Sequence, residues 1–260
     1  HYDNKLESML DENPQLICFK NGVYDFEQAI FRDGIPEDYI SKSTNINYFE
    51  IDENNEEQQK IIGEINDFMA KLFPNERLRE YMWQHLASCL LGTNQNQTFN
   101  IYTGVGSNGK SVFVKLFSMV LGDYKGTVPI SLITQKRLSI GGTSSEVAQL
   151  KGLRYAVMNE PSKGDAINEG IMKEITGGDP IQARELFKTS ITFIPMFKLA
   201  CCTNTLFDIK SNDEGTWRRI RVVDFESKFI DNPSEDPNDK EFKKDKTLEG
   251  KFASWAPVFA

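Results

Sequence analysis

Cysteine is scarce in this chain and badly spaced for metal work. Cys18, Cys89, Cys201 and Cys202 form no C-x-x-C pair, and only His1 and His85 are available to assist them. That argues against a zinc site or a disulfide framework and for small core thiols in a reducing compartment. Long apolar runs are also missing. None approaches the roughly 18 residues of a membrane span, and His1-Tyr2-Asp3 does not open a secretory leader. Positive charge is in deficit, the net charge being −8, so the chain does not coat nucleic acid with its whole surface. A local basic lining stays open. The chain starts without methionine and stops in the apolar Trp255-Ala256-Pro257-Val258-Phe259-Ala260, as a piece excised from something longer would.

What is present suffices for ordinary folding. With 260 residues and 39% hydrophobic content, the chain can bury one large core or two small ones without staples. Leu16 to Phe19 and Val23 to Phe26 flank Asn21-Gly22, which predicts a hairpin, and a further strand is expected near Ile46 to Ile51. An acidic, Asn-rich stretch from Asp52 to Glu57 reads as a boundary or a solvated loop. Ile61, Ile62, Ile65, Phe68, Met69 and Leu72 then follow helical spacing up to Pro74. A second helix carries Leu78, Met82, Leu86, Cys89 and Leu90, with Gly92 as its expected C-cap. His85 on that helix reads as packed or exposed rather than as a ligand.

Beyond Gly92 the pattern changes to short apolar strands alternating with helices. Strands are expected at Thr98 to Thr103, Arg154 to Met158, Phe197 to Cys202 and Arg219 to Val223, which implies a mostly parallel sheet covered on both faces. Asp231 to Lys246, with two prolines and alternating charges, reads as a solvated loop. The expected divisions are 1–56, a small N-terminal α+β segment; 57–96, helical; 97–230, the α/β core; and 231–260, a charged loop leading into a truncated helical region.

Directly after the first core strand stands Gly104-Val105-Gly106-Ser107-Asn108-Gly109-Lys110-Ser111, and a helix from Ser111 to Leu121 follows. This is the G-x-x-x-x-G-K-[ST] phosphate loop in its proper strand-to-helix context. Its glycines let successive N–H groups face an anion, and the helix N-terminus adds a favourable dipole. Lys110 is placed to reach the β- and γ-phosphates of a nucleotide, and Ser111 to ligate Mg²⁺. Val112 completes the binding segment. A phosphate loop also needs an acid at the end of a neighbouring strand, and Val157-Met158 runs into Asn159-Glu160. Glu160 is the candidate for polarising water, with Asn159 at the position of a metal partner. Lys198 to Thr203 is an apolar strand ending at Asn204, which either holds a water against the γ-phosphate or merely forms a turn.

In this order the motifs resemble the superfamily 3 helicases of the AAA+ class, and especially the poxvirus-type primase-helicases of large DNA viruses. The resemblance spans about residues 15 to 225. It rests on the phosphate loop, on Glu146 to Pro161, on Lys173 to Arg184, on Asn204 and on Gly215-Thr216-Trp217-Arg218-Arg219-Ile220-Arg221. Asn21-Gly22-Val23-Tyr24-Asp25 is similar to the small domain that precedes the motor in that group. One departure concerns the second motif: Asn159 stands where many members carry an acid, which shifts the catalytic burden to Glu160.

The resemblance implies an AAA+ P-loop core that hydrolyses ATP with Mg²⁺ at the interfaces of a homo-oligomeric ring, a hexamer by analogy. It further implies action on single-stranded or forked DNA, a primase domain upstream, and a place at the intracellular site of viral DNA replication. Arg218 and Arg219 become the candidates for an arginine finger reaching the neighbour's γ-phosphate; the alternative is pairing with Asp213 or Glu214. Gln182 to Phe193 reads as a hairpin that relatives project into the ring channel, so Arg184, Phe187 and Lys188 are candidate contacts to single-stranded DNA. A packaging or RNA-translocating ring ATPase and a nucleotide-dependent assembly module stay open beside the helicase. A small GTPase is disfavoured because no Asn-Lys-x-Asp motif occurs.

Overall fold

The computed structural model describes residues 4–134, 144–158, 166–206, 209 and 213–260. After a short helix α1 (Asn4–Met9), β1 (Leu16–Phe19), β2 (Gly22–Asp25) and β3 (Ile30–Arg32) form an antiparallel meander. The predicted hairpin is there, but its turn lies one residue earlier than expected. Phe19 pairs with Gly22, so Lys20 and Asn21 occupy the turn and Gly22 begins the strand. The Asn21 amide is occupied elsewhere: Nδ2 donates to Tyr48 O at 2.9 Å and Oδ1 accepts from Tyr48 N at 2.8 Å. Those two bonds fasten the 46–51 segment to the turn without making it a strand, and the expected strand there does not form.

Helices α2 (Glu56–Leu72) and α3 (Glu76–Ser88) each start at an asparagine cap. Asn55 accepts from Glu57 N and Gln58 N, and Asn75 accepts from Arg77 N and Leu78 N, which satisfies two otherwise orphaned donors in each helix. The second helix ends four residues before Gly92, with Cys89 as its cap. Gly92 instead donates its N–H to Pro14 O at 2.8 Å, tying this region to the N-terminal segment.

The core sheet is built from β4 (Phe99–Thr103), β5 (Lys125–Val128), β6 (Tyr155–Met158), β9 (Lys198–Thr203) and β10 (Ile220–Asp224), all parallel. Between them lie α4 (Lys110–Leu121), α5 (Ser131–Thr134), α6 (Ser145–Ala148), α7 (Glu169–Gly177), the antiparallel hairpin of β7 (Ile181–Ala183) and β8 (Ile191–Phe193), and α8 (Glu214–Trp217). Strand order is β10-β4-β9-β6-β5. Because side chains alternate along a strand, each face has its own core. Tyr102, Tyr155, Val157, Ala200 and Val223 join α2, α3 and Phe113, Leu116 and Phe117 of α4 on one side. Phe99, Ile101, Ala156, Met158, Leu199 and Cys201 join α7 and the hairpin on the other. The first core also takes in Ile17 and Phe19, so the acidic stretch is not a break in packing: Asp52 to Asn55 is a solvated loop, and Glu56 and Glu57 open α2.

The segment expected to be a solvated loop past Asp231 contains β12 (Glu241–Lys243), which pairs in parallel with β11 (Lys228–Ile230). Phe229 and Phe242 meet across that pair at 5.8 Å, apolar partners that the surrounding charges disguise in the sequence. Helix α9 (Phe252–Phe259) then packs Phe252 and Trp255 into the first core against α2 and α4.

The outgoing connection of β4 runs through α4 to the far edge, whereas that of β9 crosses to β10 on the opposite side. Such a reversal leaves a crevice at the C-terminal ends of β4 and β9, where open α/β sheets bind ligands.

Candidate functional site

Chain direction at the end of β4 is decided by Phe225, whose N–H bonds Thr103 O at 2.8 Å and forces an immediate turn. Gly104 makes it, at φ +142°; a Cβ there would lie 2.5 Å from Asn108 Nδ2 and 2.7 Å from Phe225 O. Gly109, at φ +82°, ends the loop in the left-handed region, and a Cβ would lie 2.5 Å from Leu72 of α2. The loop is thus clasped between the end of α2 and the 225–229 segment. Phe229 N–H donates to Ser107 O at 2.8 Å and completes the clasp. Val105 is 74% exposed at the crest, and Gly106 stands in open space beside it.

Helix α4 opens at Lys110 with Gly109 as a cap that offers no side-chain acceptor; Asn108 Oδ1 meets the Lys110 N–H, and the N–H groups of Ser111 and Val112 are the ones offered to an anion. Lys110 is buried. Its ammonium donates to Gly104 O, inside the loop, and to Asn204 Oδ1 at 3.3 Å. The last contact joins the loop to the tip of β9. Asn108 is buried as well: its Oδ1 accepts from Lys110 N at 3.3 Å, while its Nδ2 has no partner. A buried donor without an acceptor is costly, and here it lies beside a cation and an uncapped helix end. This donor set fits a group with several acceptor oxygens, which is the character of a polyphosphate.

Ser111 is exposed in the first turn of α4, and Val112 is half-buried against the first core. Asn159 and Glu160 lie outside the described residues; the strand they follow, β6, ends at Met158 paired with Cys201 of β9. Among the described residues no group of three or more His, Cys, Asp or Glu could hold a metal ion.

Arg218 and Arg219 lie at the opposite end of the sheet. Arg219 O accepts from Phe99 N at 2.7 Å, at the start of β4, whereas the phosphate loop follows its end. At about 3.3 Å per residue, some 13 Å of sheet separates them. Neither arginine therefore meets the loop of its own chain. Both donate to Gln97 Oε1, Arg218 from Nη2 at 2.5 Å and Arg219 from Nη2 at 2.9 Å. Arg219 also donates to Gly215 O at 2.6 Å and is buried; Arg218 is exposed. Gln97 in turn donates to Gly177 O at the end of α7. Nothing in the sequence singles out Gln97, a polar residue before a strand, yet it organises both guanidinium groups.

The predicted hairpin is β7–β8, and its tip carries the three candidates. Phe187 is 94% exposed at φ +63°, and Lys188 pairs with Glu185 at 2.7 Å. Arg184 is anchored through its backbone to Ser144, by N–H to Oγ at 3.0 Å and by O to Ser144 N at 2.8 Å.

Two buried groups brace the sheet. Lys198 donates to Leu91 O at 2.6 Å and Thr93 O at 2.7 Å, and burial pushes its pKa down to about 8. His85 is packed, the first of the two placements expected of it. Its Nε2 meets Tyr102 Oη at 2.8 Å, and burial pushes its pKa down to about 3. No helix among the described residues is long and apolar enough to cross a membrane.

Residues 4–83 match a family described as "D5 N terminal like", and residues 102–219 match a "Family of unknown function (DUF5906)". The chain is 47% identical over 229 residues to a protein of Acanthamoeba polyphaga mimivirus named "Putative helicase", covering 88% of this chain and 23% of that protein. It is 37% identical over 233 residues to a protein of the same name from Invertebrate iridescent virus 3, with 88% and 24% covered. A protein of African swine fever virus (isolate Warthog/Namibia/Wart80/1980) named "Putative primase" is 30% identical over 239 residues, with 91% and 24% covered. The chain therefore spans about a quarter of the length of these relatives. The apo C-terminal region of NrS-1 shares the fold at 10% identity and a TM-score of 0.57, with 95% of this chain and 52% of that one covered. The sequence relatives support a primase-helicase family of large DNA viruses.

Proposed function

From that family support and the geometry of the loop, we propose that the chain is the motor of a viral primase-helicase: a superfamily 3 helicase with an AAA+ core that hydrolyses ATP at the interfaces of a homo-oligomeric, hexameric ring. One observation carries it. Lys110, the unpartnered Asn108 amide and Asn204 converge at one end of the sheet, while the exposed Arg218 stands at the other. A single chain thus holds two half-sites that cannot meet, and a second copy supplies what the first lacks.

In the assembled site the α4 N-terminus, Lys110 and the Asn108 amide hold the phosphates. Asn204, already bonded to Lys110, orients water at the γ-phosphate, and Glu160 polarises it. Magnesium, which Ser111 with Asn159 and Glu160 would hold, would neutralise charge on the transferring phosphoryl group. Arg218 of the adjacent subunit stabilises the same charge, and Arg219 positions it through Gln97. The β7–β8 tip meets single-stranded DNA, with Phe187 stacking on bases and Lys188 and Arg184 on phosphates. A primase domain precedes the motor in the full protein, which works where viral DNA is replicated inside the infected cell.

The test is ATP hydrolysis with and without single-stranded DNA, on samples whose oligomeric state is fixed by light scattering, together with strand displacement on forked DNA and RNA. DNA-stimulated turnover and DNA unwinding are expected. Turnover that ignores DNA and survives Glu160→Ala would replace the motor with an assembly module.

A further inference from the structure

The N-terminal meander carries a cavity that the motor chemistry does not use. It has a volume of about 440 Å³ and is lined by Tyr24, Ile30, Phe31, Tyr48, Phe49 and Glu50. Its aromatic wall is continuous: Phe31 and Tyr48 stack with centroids 4.5 Å apart, and Tyr24 lies 5.5 Å from Tyr48 and 4.9 Å from Phe26. Phe19, behind them, belongs to the first core, so the inner side of this wall is ordinary packing. The outer side is not sealed. Tyr24, Phe31, Tyr48 and Phe49 remain only partly buried, and Ile30 is 43% exposed.

Charge decides what such a cavity holds. Between residues 15 and 57 there are ten acids against three bases. One of the bases, Arg32, is already committed to Asp38 by two bonds of 2.9 and 2.7 Å. Glu50 lies in the lining itself, and among the described residues its carboxylate makes no hydrogen bond or ion pair. Aromatic faces are the negative pole of the ring quadrupole, so they add to that carboxylate. Single-stranded DNA would be repelled here, and an apolar side chain would desolvate Glu50 without return. A cation gains from both features at once.

We propose that this cavity receives an arginine or lysine side chain from a basic segment of a separate protein partner, its charge lying against the aromatic wall with Glu50 as counter-ion. The meander is thereby an interaction module placed at a distance from the hydrolytic site. Its partner is recognised by positive charge, whereas the partner of the β7–β8 tip is a polyanion.

Titrating the whole chain with acetyl-Gly-Arg-Gly-Arg-Gly-amide, followed by NMR of ring-labelled tyrosine at low salt, tests this. Shifts at Tyr24 and Tyr48 are expected. Tyr48→Ala should weaken binding about tenfold and the exposed Glu50→Gln about threefold, while Tyr48→Phe keeps the ring and the affinity. Hydrolysis of ATP should be unchanged in all three. The proposal is overturned by absence of binding, by equal binding of the corresponding glutamate peptide, by tighter binding of octathymidylate, or by affinity that Glu50→Gln leaves unaltered.

Discussion

Asn108 shows how one side chain can be worse for the empty fold than for the occupied one. Its Nδ2 is buried without an acceptor, so Asn108→Ala removes an unsatisfied donor as well as a 3.3 Å contact to Lys110 N. The melting temperature of the ligand-free variant should hold or rise, whereas nucleotide affinity should fall about fivefold to tenfold in a titration. Lys110→Ala should instead remove turnover by about a thousandfold, because among the described residues its ammonium is the cation that the structure brings into the loop. The two adjacent arginines separate by burial. Arg219→Ala should cost about 1–2 kcal/mol in denaturant unfolding, since it strips bonds from Gly215 O and Gln97. Arg218→Ala, at an exposed position, should leave stability intact and remove the hydrolysis that depends on assembly.

Elements add what single residues do not. Helix α3 is pinned to the sheet by His85, whose pKa is held near 3 by burial against about 6.5 when unfolded. Between those values the unfolded chain binds a proton that the folded chain refuses, so stability falls as pH drops from 6.5 toward 3. Chemical denaturation should show a loss of about 2 kcal/mol by pH 5, and His85→Gln should flatten that slope. The β7–β8 tip carries its own brake, the Lys188–Glu185 pair at 2.7 Å. Glu185→Gln should raise affinity for single-stranded DNA about threefold by removing a negative charge that repels phosphate at the tip, and Lys188→Ala should lower it with basal hydrolysis preserved. Unchanged DNA affinity in both variants would detach the hairpin from the nucleic acid.

For the whole molecule the separation of half-sites is the governing fact. Roughly 13 Å of β4 stands between the arginine pair and the loop, so the function we propose calls for two copies in contact. Mixing Lys110→Ala chains with Arg218→Ala chains should restore part of the turnover that neither has alone, because some interfaces then combine an intact loop with an intact finger. Rescue measured against mixing ratio should pass through a maximum. A monotonic decline would mean that the arginine acts within its own chain.

The sequence by itself determined the parts whose cause is local. Loop and helix signals are written in consecutive residues, Gly104 to Ser111, and the strand-helix alternation after Gly92 carries the parallel sheet with it. The hairpin at Gln182 to Phe193 was legible for the same reason. Tertiary structure decided the rest. The turn at Asn21 lies a residue early, with the Asn21 amide bonded to Tyr48, and β12 brings Phe242 against Phe229 across a charged stretch. Gln97 acquired its role only when folding set it beside two arginines that follow it by more than a hundred residues. Spacing can announce a phosphate loop, but only the strand order puts Asn204 against Lys110 and Arg218 at the far end of the sheet. Contacts of that range are fixed by packing across the sheet, which no short window of residues records.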